Sequence, residues 1–138
     1  MAVDATGSAV ACQFTLGRAF GTGSMVSGFG TYLAAATPDP GLSLGPMIAI
    51  NPNSEEFRLA IATSGGDAGM RAMMNVAAET LLADRPATEI FAAGAGDAAN
   101  GSSGVVAARC VSGRPDIDRC VAAVDSRRAG LASVMADK

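Results

Sequence analysis

The segment from Leu59 to Asp67, LAIATSGGD, most constrains how this chain can fold. Apolar residues alternate with small or polar ones over residues 57–63, which predicts a strand. Two glycines follow at once, and apolar residues then recur at helical spacing, which predicts a helix over residues 67–83. Ser64 and Asp67 have the spacing of a capping box. The sequence therefore predicts a strand, a tight turn and a helix in immediate succession.

The two glycines of this turn, Gly65 and Gly66, allow a functional and a structural interpretation. A helix start leaves backbone N–H groups without partners inside the helix, and such groups stabilise an anion, including an oxyanion that develops during acyl transfer. The structural interpretation is a tight connection that uses glycine for its backbone freedom. The turn alone favours the structural interpretation.

Length and charge limit the possible classes of protein. A chain of 138 residues is expected to form one domain over residues 1–138. The net charge is only −3 and the basic residues are scattered, so no nucleic-acid partner is expected. No apolar run approaches the roughly 20 residues of a membrane span, and no membrane association is expected. Because the sequence starts without a basic and apolar leader, we expect a cytoplasmic protein.

The chain contains no histidine, which excludes histidine-dependent triads and histidine metal ligands within it. The three cysteines, Cys12, Cys110 and Cys120, form no Cys-x-x-Cys pair, so neither a metal site nor a cofactor is predicted. A disulfide between Cys110 and Cys120 across a hairpin is possible. Buried, reduced thiols in a reducing cytoplasm are the favoured alternative.

Elsewhere in the sequence, short extended segments are separated by turn-forming residues. Three hairpins are predicted: residues 1–3 with 9–14, residues 46–51 with 57–63, and residues 105–111 with 117–124. Residues 31–36 are predicted to form a further strand, and a short helix is predicted to start in residues 87–93. The pattern predicts an α+β fold with mostly antiparallel strands and one main helix.

Six pieces of the chain follow one another in an informative order: residues 2–16, the FGTG loop at 20–23, and residues 28–35, 42–48, 63–66 and 122–130. In this order they resemble the small subunit of the gamma-glutamyltransferases (gamma-glutamyltranspeptidases). Thr63, Ser64, Gly65 and Gly66 are similar to the Ser-Pro-Gly-Gly turn that forms the oxyanion hole of that family. The pieces span most of the chain, and their order carries the resemblance.

The resemblance implies a fold and a chemistry. The family consists of N-terminal-nucleophile hydrolases, and the chain would then be part of an αββα sandwich. In that family a precursor cuts itself, and the threonine thus exposed attacks a gamma-glutamyl amide with its own amine as the base. The lack of histidine is compatible with this chemistry. The implied partners are a large-subunit-like chain or a second copy, and a gamma-glutamyl or other acyl-amide small molecule.

The resemblance also implies site residues. Thr15 matches the second threonine of the family, which hydrogen-bonds the nucleophile, and Gly65 and Gly66 match the oxyanion hole. Ser43 matches the second of two serines that hold the glutamyl carboxylate. Asp39 lies near the aspartate that binds the amino group, and Ser64 lies within the oxyanion turn as a further substrate-binding candidate.

Other positions depart from the family pattern. Gly17 stands where an asparagine contacts the substrate, Leu42 replaces the first serine, and residues 34–36 are alanines in place of amides. Polar contacts to a gamma-glutamyl group are therefore depleted, which argues against specificity for glutathione.

Three functions follow from this reading. The nucleophile would lie a few residues before Ala2, and the sequence begins with Met1. The favoured expectation is thus a small-subunit-like fragment of a gamma-glutamyltransferase or acylase, inactive alone. The alternative is a non-catalytic structural or interaction domain on the same scaffold. An independent enzyme with Cys12 as nucleophile is disfavoured because that thiol has no histidine partner.

Overall fold

The computed structural model describes residues 1–4, 6–36, 45–93, 103–111 and 120–125. Within them the chain forms six strands and two helices. In chain order these are β1 Ala2–Val3, β2 Ala9–Val10, β3 Met47–Ile50, β4 Phe57–Ser64, α1 Gly66–Leu81, α2 Ala87–Ala92, β5 Gly104–Cys110 and β6 Cys120–Val124. The predicted α+β class with antiparallel pairing is confirmed for these residues.

The main sheet has four strands in the order β3-β4-β5-β6, and every neighbouring pair is antiparallel. The hairpins predicted for residues 46–51 with 57–63 and for residues 105–111 with 117–124 are both present in their described parts. A register shift between Ala49 and Ile50 bends β3 at the sheet edge. Strand β4 lies inside the sheet and carries Leu59, Ala60 and Ile61, each fully buried.

The predicted N-terminal hairpin forms a separate two-stranded sheet, in which Ala2 pairs with Val10 and Val3 with Ala9. Its turn is held by the Asp4 carboxylate, which accepts hydrogen bonds from the Thr6 hydroxyl at 2.7 Å and from the Ser8 backbone N–H at 3.0 Å. These bonds, the one from the Thr6 hydroxyl first among them, lower the pKa of Asp4. This chemistry is typical of an Asx turn.

Helices α1 and α2 cover one face of the sheet. Their inward residues, among them Met73, Val76 and Ile90, form the main core with Leu59 and Ile61. Close packing of such apolar side chains supplies most of the free energy that holds a helix on a sheet. The apolar face predicted for α1 is only partly correct. Outward-pointing residues include Met74 and Leu82, which are 59% and 86% exposed.

The capping box predicted for Ser64 and Asp67 is wrong. The N-cap of α1 is Gly65, and no side chain caps the helix. Ser64 is the last residue of β4, so it lies one position too early to act as N-cap. The helix begins at Gly66 and ends at Leu81, close to the predicted limits.

The opposite face of the sheet is lined mainly by small residues and is only partly covered. Val3, Ala9 and Ala11 of the N-terminal segment pack there against Phe57, Ala60 and Cys110. Toward the β3 edge, Ile48 and Ile50 remain 43% and 57% exposed. The described residues thus form one four-stranded sheet with helices on one side, which is consistent with part of the expected αββα sandwich.

Residues 16–36 form an irregular arm rather than the strand predicted for residues 31–36. The arm folds back on itself through Ala35 N–H to Leu16 O and Leu33 N–H to Ser24 O, both 2.9 Å. A single bridge joins Met25 and Tyr32. Glycines explain the difference: Gly21 has φ +56°, and a Cβ atom there would lie 2.0 Å from the Leu33 carbonyl oxygen. Such positions break a regular ladder.

Cys110 and Cys120 are joined by a disulfide, which corrects the favoured expectation of reduced thiols. The antiparallel register of β5 and β6 places the two residues directly opposite each other, with 4.1 Å between their Cα atoms. Cys12 is free and exposed.

A buried arginine joins the sheet to the C-terminal end of α1. Arg109 on β5 is 7% exposed, and its guanidinium forms an ion pair with Asp84 and donates to the Arg85 carbonyl at 3.2 Å. Without these partners a buried guanidinium would be strongly destabilising. In the described part of the chain, neither helix has the length and apolar character needed to cross a membrane.

We predict that Gly69→Ala destabilises the fold by about 1–3 kcal/mol because of overpacking. A Cβ atom at this position would lie 2.4 Å from the Ser64 carbonyl oxygen and 2.7 Å from the Thr63 hydroxyl. Chemical denaturation of the two proteins measures the effect. Ala78→Gly on the exposed side of α1 is the control, since it reports helix propensity alone and costs about 1 kcal/mol. A Gly69→Ala variant more stable than the wild type would contradict the close approach.

Reduction of the disulfide should lower the free energy of unfolding by about 2–3 kcal/mol, as expected for a cross-link between residues 10 positions apart. Urea denaturation with and without reductant gives the difference. Cys12→Ser should leave it unchanged. A thiol count of three in the unfolded, unreduced chain would show that the disulfide does not form.

Candidate functional site

A cleft of about 230 Å³ opens where β4 ends and β5 begins, beside the segment that follows β2. The walls come from four parts of the chain. The lining residues are Cys12, Gln13, Phe14, Ala62, Thr63, Ser64, Gly104, Val105, Val106, Val124 and Asp125. The cleft is therefore bounded by the residue that immediately precedes the Gly-Gly turn.

The turn itself has an unusual backbone. Gly65 has φ 106° and ψ 25°, and Gly66 has φ 58°, so two successive residues are left-handed. Only glycine adopts this conformation without a steric penalty, which explains both residues. The predicted sequence of strand, turn and helix is present, and the first turn of α1 offers backbone N–H groups that have no partner within a helix.

Thr63 fixes the end of β4 beneath the turn. Its side chain is buried, and its hydroxyl donates a 2.9 Å hydrogen bond to the Gly104 carbonyl on β5. The helix passes close by, because Gly69 leaves room for the Thr63 hydroxyl and the Ser64 carbonyl. The turn is therefore held in place by contacts among β4, β5 and α1.

Gln13 forms a second connection to the same place. Its Nε2 group donates to the Thr63 carbonyl oxygen, whereas its Oε1 atom is buried and has no partner among the described residues. The sequence analysis missed this residue. No sequence pattern marks it, because Cys12 and Phe14 on either side are apolar and alternation would place them, and not Gln13, on the inward side.

Asp125 is the other residue that the sequence analysis missed. It follows β6 directly, is only 2% exposed and lines the cleft. Its backbone N–H donates to the Val105 carbonyl at 3.0 Å, which continues the pairing of β6 with β5 and places the carboxylate at the cleft. Asp125 is the acidic residue among those that line the cleft.

The predicted site residues are distributed unevenly. Ser64 lines the cleft, and Gly65 and Gly66 follow it. Thr15 is partly buried and lies two residues beyond the cleft-lining Gln13, and its hydroxyl accepts a 3.0 Å hydrogen bond from the Gly17 N–H. Asp39 and Ser43 lie outside the described residues. The roles assigned to all six remain predictions.

Metal chemistry has no evident ligand set here. Among the residues described, no three carboxylate or cysteine side chains come together in a group that could hold a metal ion. Polar side chains of Gln13, Thr63, Ser64 and Asp125 lie on the cleft walls, and the Gly-Gly turn adjoins the cleft through Ser64.

Comparison by sequence and by structure gives different results. No protein-family model matches the sequence, and no curated protein matches it. Solved structures do match, at low identity and over almost the whole chain. A highly active mutant of the gamma-glutamyltranspeptidase from Pseudomonas nitroreducens is 17% identical, with a TM-score of 0.69, and the match covers 99% of this chain and 97% of that one.

Two further structures give the same result. The Pseudomonas nitroreducens enzyme complexed with L-DON is 16% identical, covers 98% and 97% of the two chains and has a TM-score of 0.67. A mutant of the Helicobacter pylori gamma-glutamyltranspeptidase is 15% identical, covers 92% and 97% and has a TM-score of 0.63. The chain therefore has a fold like that of the gamma-glutamyltranspeptidases.

Proposed function

We propose that this chain is a small-subunit-like part of a gamma-glutamyltranspeptidase-like transferase or hydrolase, in which it forms one domain and supplies the oxyanion site. The observation that carries the proposal is the left-handed pair Gly65 and Gly66 at the start of α1, beside a cleft. The substrate class is an acyl amide, of which a gamma-glutamyl amide is the first candidate.

The turn would act on the negative charge that develops on the amide oxygen during attack. Backbone N–H groups fixed by a strand end and a helix start need no reorganisation when that charge forms. One such donor typically changes the turnover rate by about 10²–10³. In this proposal Thr15 orients the nucleophile, and Ser43, Ser64 and Asp39 bind the substrate.

The chain alone is proposed to be inactive. The Thr15 hydroxyl already accepts a hydrogen bond from Gly17, and Cys12 has no histidine with which to form a nucleophile–base pair, since the sequence contains none. The attacking group and its base would belong to the assembled protein.

A large-subunit-like chain is the proposed partner. The sheet face opposite the helices is only partly covered, and Ile48, Ile50 and Phe14 are 43%, 57% and 90% exposed. Apolar surface of this kind marks an interface when it forms a continuous patch. A partner that packs a second sheet on this face would complete the sandwich.

A non-catalytic interaction domain is the second candidate. The arm of residues 16–36 favours it, because Phe20, Met25 and Phe29 are 67%, 58% and 80% exposed there. Aromatic and methionine side chains are enriched at protein interfaces. In this case the turn would serve only to connect β4 with α1.

Ligand protection of the turn separates the two candidates. With gamma-glutamyl-p-nitroanilide in excess, we expect slower hydrogen–deuterium exchange in peptides that contain Gly65 and Gly66, measured by mass spectrometry at low micromolar protein. Gly65→Ala should lose the protection, because alanine is strained at φ 106°. An unchanged exchange pattern in the wild type would favour the interaction domain.

The same compound tests inactivity. Purified chain should release no p-nitroaniline above the buffer rate, since no nucleophile–base pair is available in it. Turnover that disappears in Thr15→Ala or Cys12→Ala would contradict the proposal.

The incomplete sandwich also predicts self-association of the isolated chain. Light scattering after size exclusion, over a wide concentration range, should show dimers or larger species. Replacement of Ile48 and Ile50 by threonine should shift the distribution toward the monomer, because both are exposed on one strand. A monomeric wild type with a sharp thermal transition and no binding of an apolar dye would contradict this prediction.

A further inference from the structure

We infer that Gln13 is the positioning residue of the Gly65–Gly66 turn, an inference that rests on the proposed function. Its side-chain amide donates to the carbonyl oxygen of Thr63, which lies 50 residues further along the chain and two residues before Gly65. The bond therefore ties the segment after β2 to the strand end from which the turn starts.

The segment after β2 presents its side chains alternately to the two sides. Ala11, Gln13 and Thr15 are partly buried, whereas Cys12 and Phe14 between them are exposed. A period of two is typical of extended chain, so Gln13 and Thr15 share the inward side. The bond from Gln13 thus holds the inward side of this segment, which also carries the Thr15 hydroxyl, against the end of β4.

The acceptor of this bond is itself fixed. Thr63 is buried and paired with Val105 in the sheet, and its hydroxyl donates to the Gly104 carbonyl at 2.9 Å. Gly69 of α1 packs so closely against the same residue that a Cβ atom at position 69 would not fit. A bond to the Thr63 carbonyl therefore fixes the segment that carries Thr15 relative to the same residues that hold Gly65 and Gly66 in place.

The remaining atom of the amide argues for a positional role. Gln13 Oε1 is buried without a described partner, and such an atom costs roughly as much as one hydrogen bond contributes. Exchange of the two amide atoms would place oxygen against the Thr63 carbonyl, so the orientation is determined. The bond is therefore expected to restrict local opening at the turn more than it raises the global stability of the fold.

Two variants of similar shape test the inference by hydrogen–deuterium exchange of the turn peptide. Gln13→Met removes the donor, and we expect exchange at residues 64–69 to become about 3- to 10-fold faster, the loss of one hydrogen bond. Gln13→Glu should behave likewise at pH 7. Below the glutamate pKa, ordinarily about 4.3, the protonated carboxyl can donate to Thr63, and protection should return.

Controls separate this effect from general destabilisation and from other acids. Gln13→Met retains every acidic residue of the wild-type chain, so its exchange at each pH is the reference after correction for intrinsic rates. Val3→Ala weakens the packing of the partly buried N-terminal hairpin and leaves the Gln13–Thr63 bond intact. After correction for the change in global stability, exchange at residues 64–69 should equal that of the wild type. Equal protection of Gln13→Met and wild type, or no recovery of Gln13→Glu at low pH, would overturn the inference.

The ligand experiment keeps the two proposals distinguishable. If gamma-glutamyl-p-nitroanilide protects the turn equally in wild type and Gln13→Met, the turn binds ligand and Gln13 does not position it. If the compound protects neither, the proposed function fails, and the recovery of Gln13→Glu at low pH still decides whether Gln13 holds the turn. Weaker protection in Gln13→Met than in the wild type supports both.

Discussion

The close approach of α1 to the end of β4 is the constraint on which the rest of the structure depends. No spacer separates the two elements: β4 ends at Ser64 and α1 begins at Gly66. Such a connection requires a backbone reversal at Gly65 and a helix surface without a side chain at Gly69. Glycine meets both requirements, at the first position through its φ angle and at the second through its lack of a Cβ atom. The start of the helix therefore adjoins the cleft through Ser64.

The two faces of the sheet carry side chains of different size. Toward the helices it presents Leu59, Ile61 and Val105, which fill space between layers about 10 Å apart. Toward the other side it presents Ala60 and Ala108 with the disulfide, and the short N-terminal hairpin covers them. Apolar burial is therefore large on one face and small on the other. The stability of the described part comes mainly from the helical side.

Sequence patterns predicted what depends on local chemistry. The strand at 57–63, the helix after the glycines and the N-terminal hairpin all follow from residue type and spacing. The sequence allowed the disulfide but did not favour it over reduced thiols, because the register of β5 with β6 decides the pairing. The contact of Gln13 with Thr63 joins segments 50 residues apart, which no local pattern contains. The capping box failed because the boundary between β4 and α1 moved by one residue. The strand at 31–36 failed because apolar composition does not reveal which glycines take positive φ angles.

The cross-link between Cys110 and Cys120 has a consequence for how copies of this chain can associate. Strand β6 lies at an edge of the described sheet, and edge strands are the ones that adjacent molecules exchange. A strand is exchanged only if it can separate from its neighbour along its length, and here Cys120 at the start of β6 is covalently bound to Cys110 on β5. Strand swapping through β6 is therefore blocked as long as the thiols stay oxidised. Contacts between copies that involve β6 are then restricted to surfaces that can meet while the strand stays paired with β5.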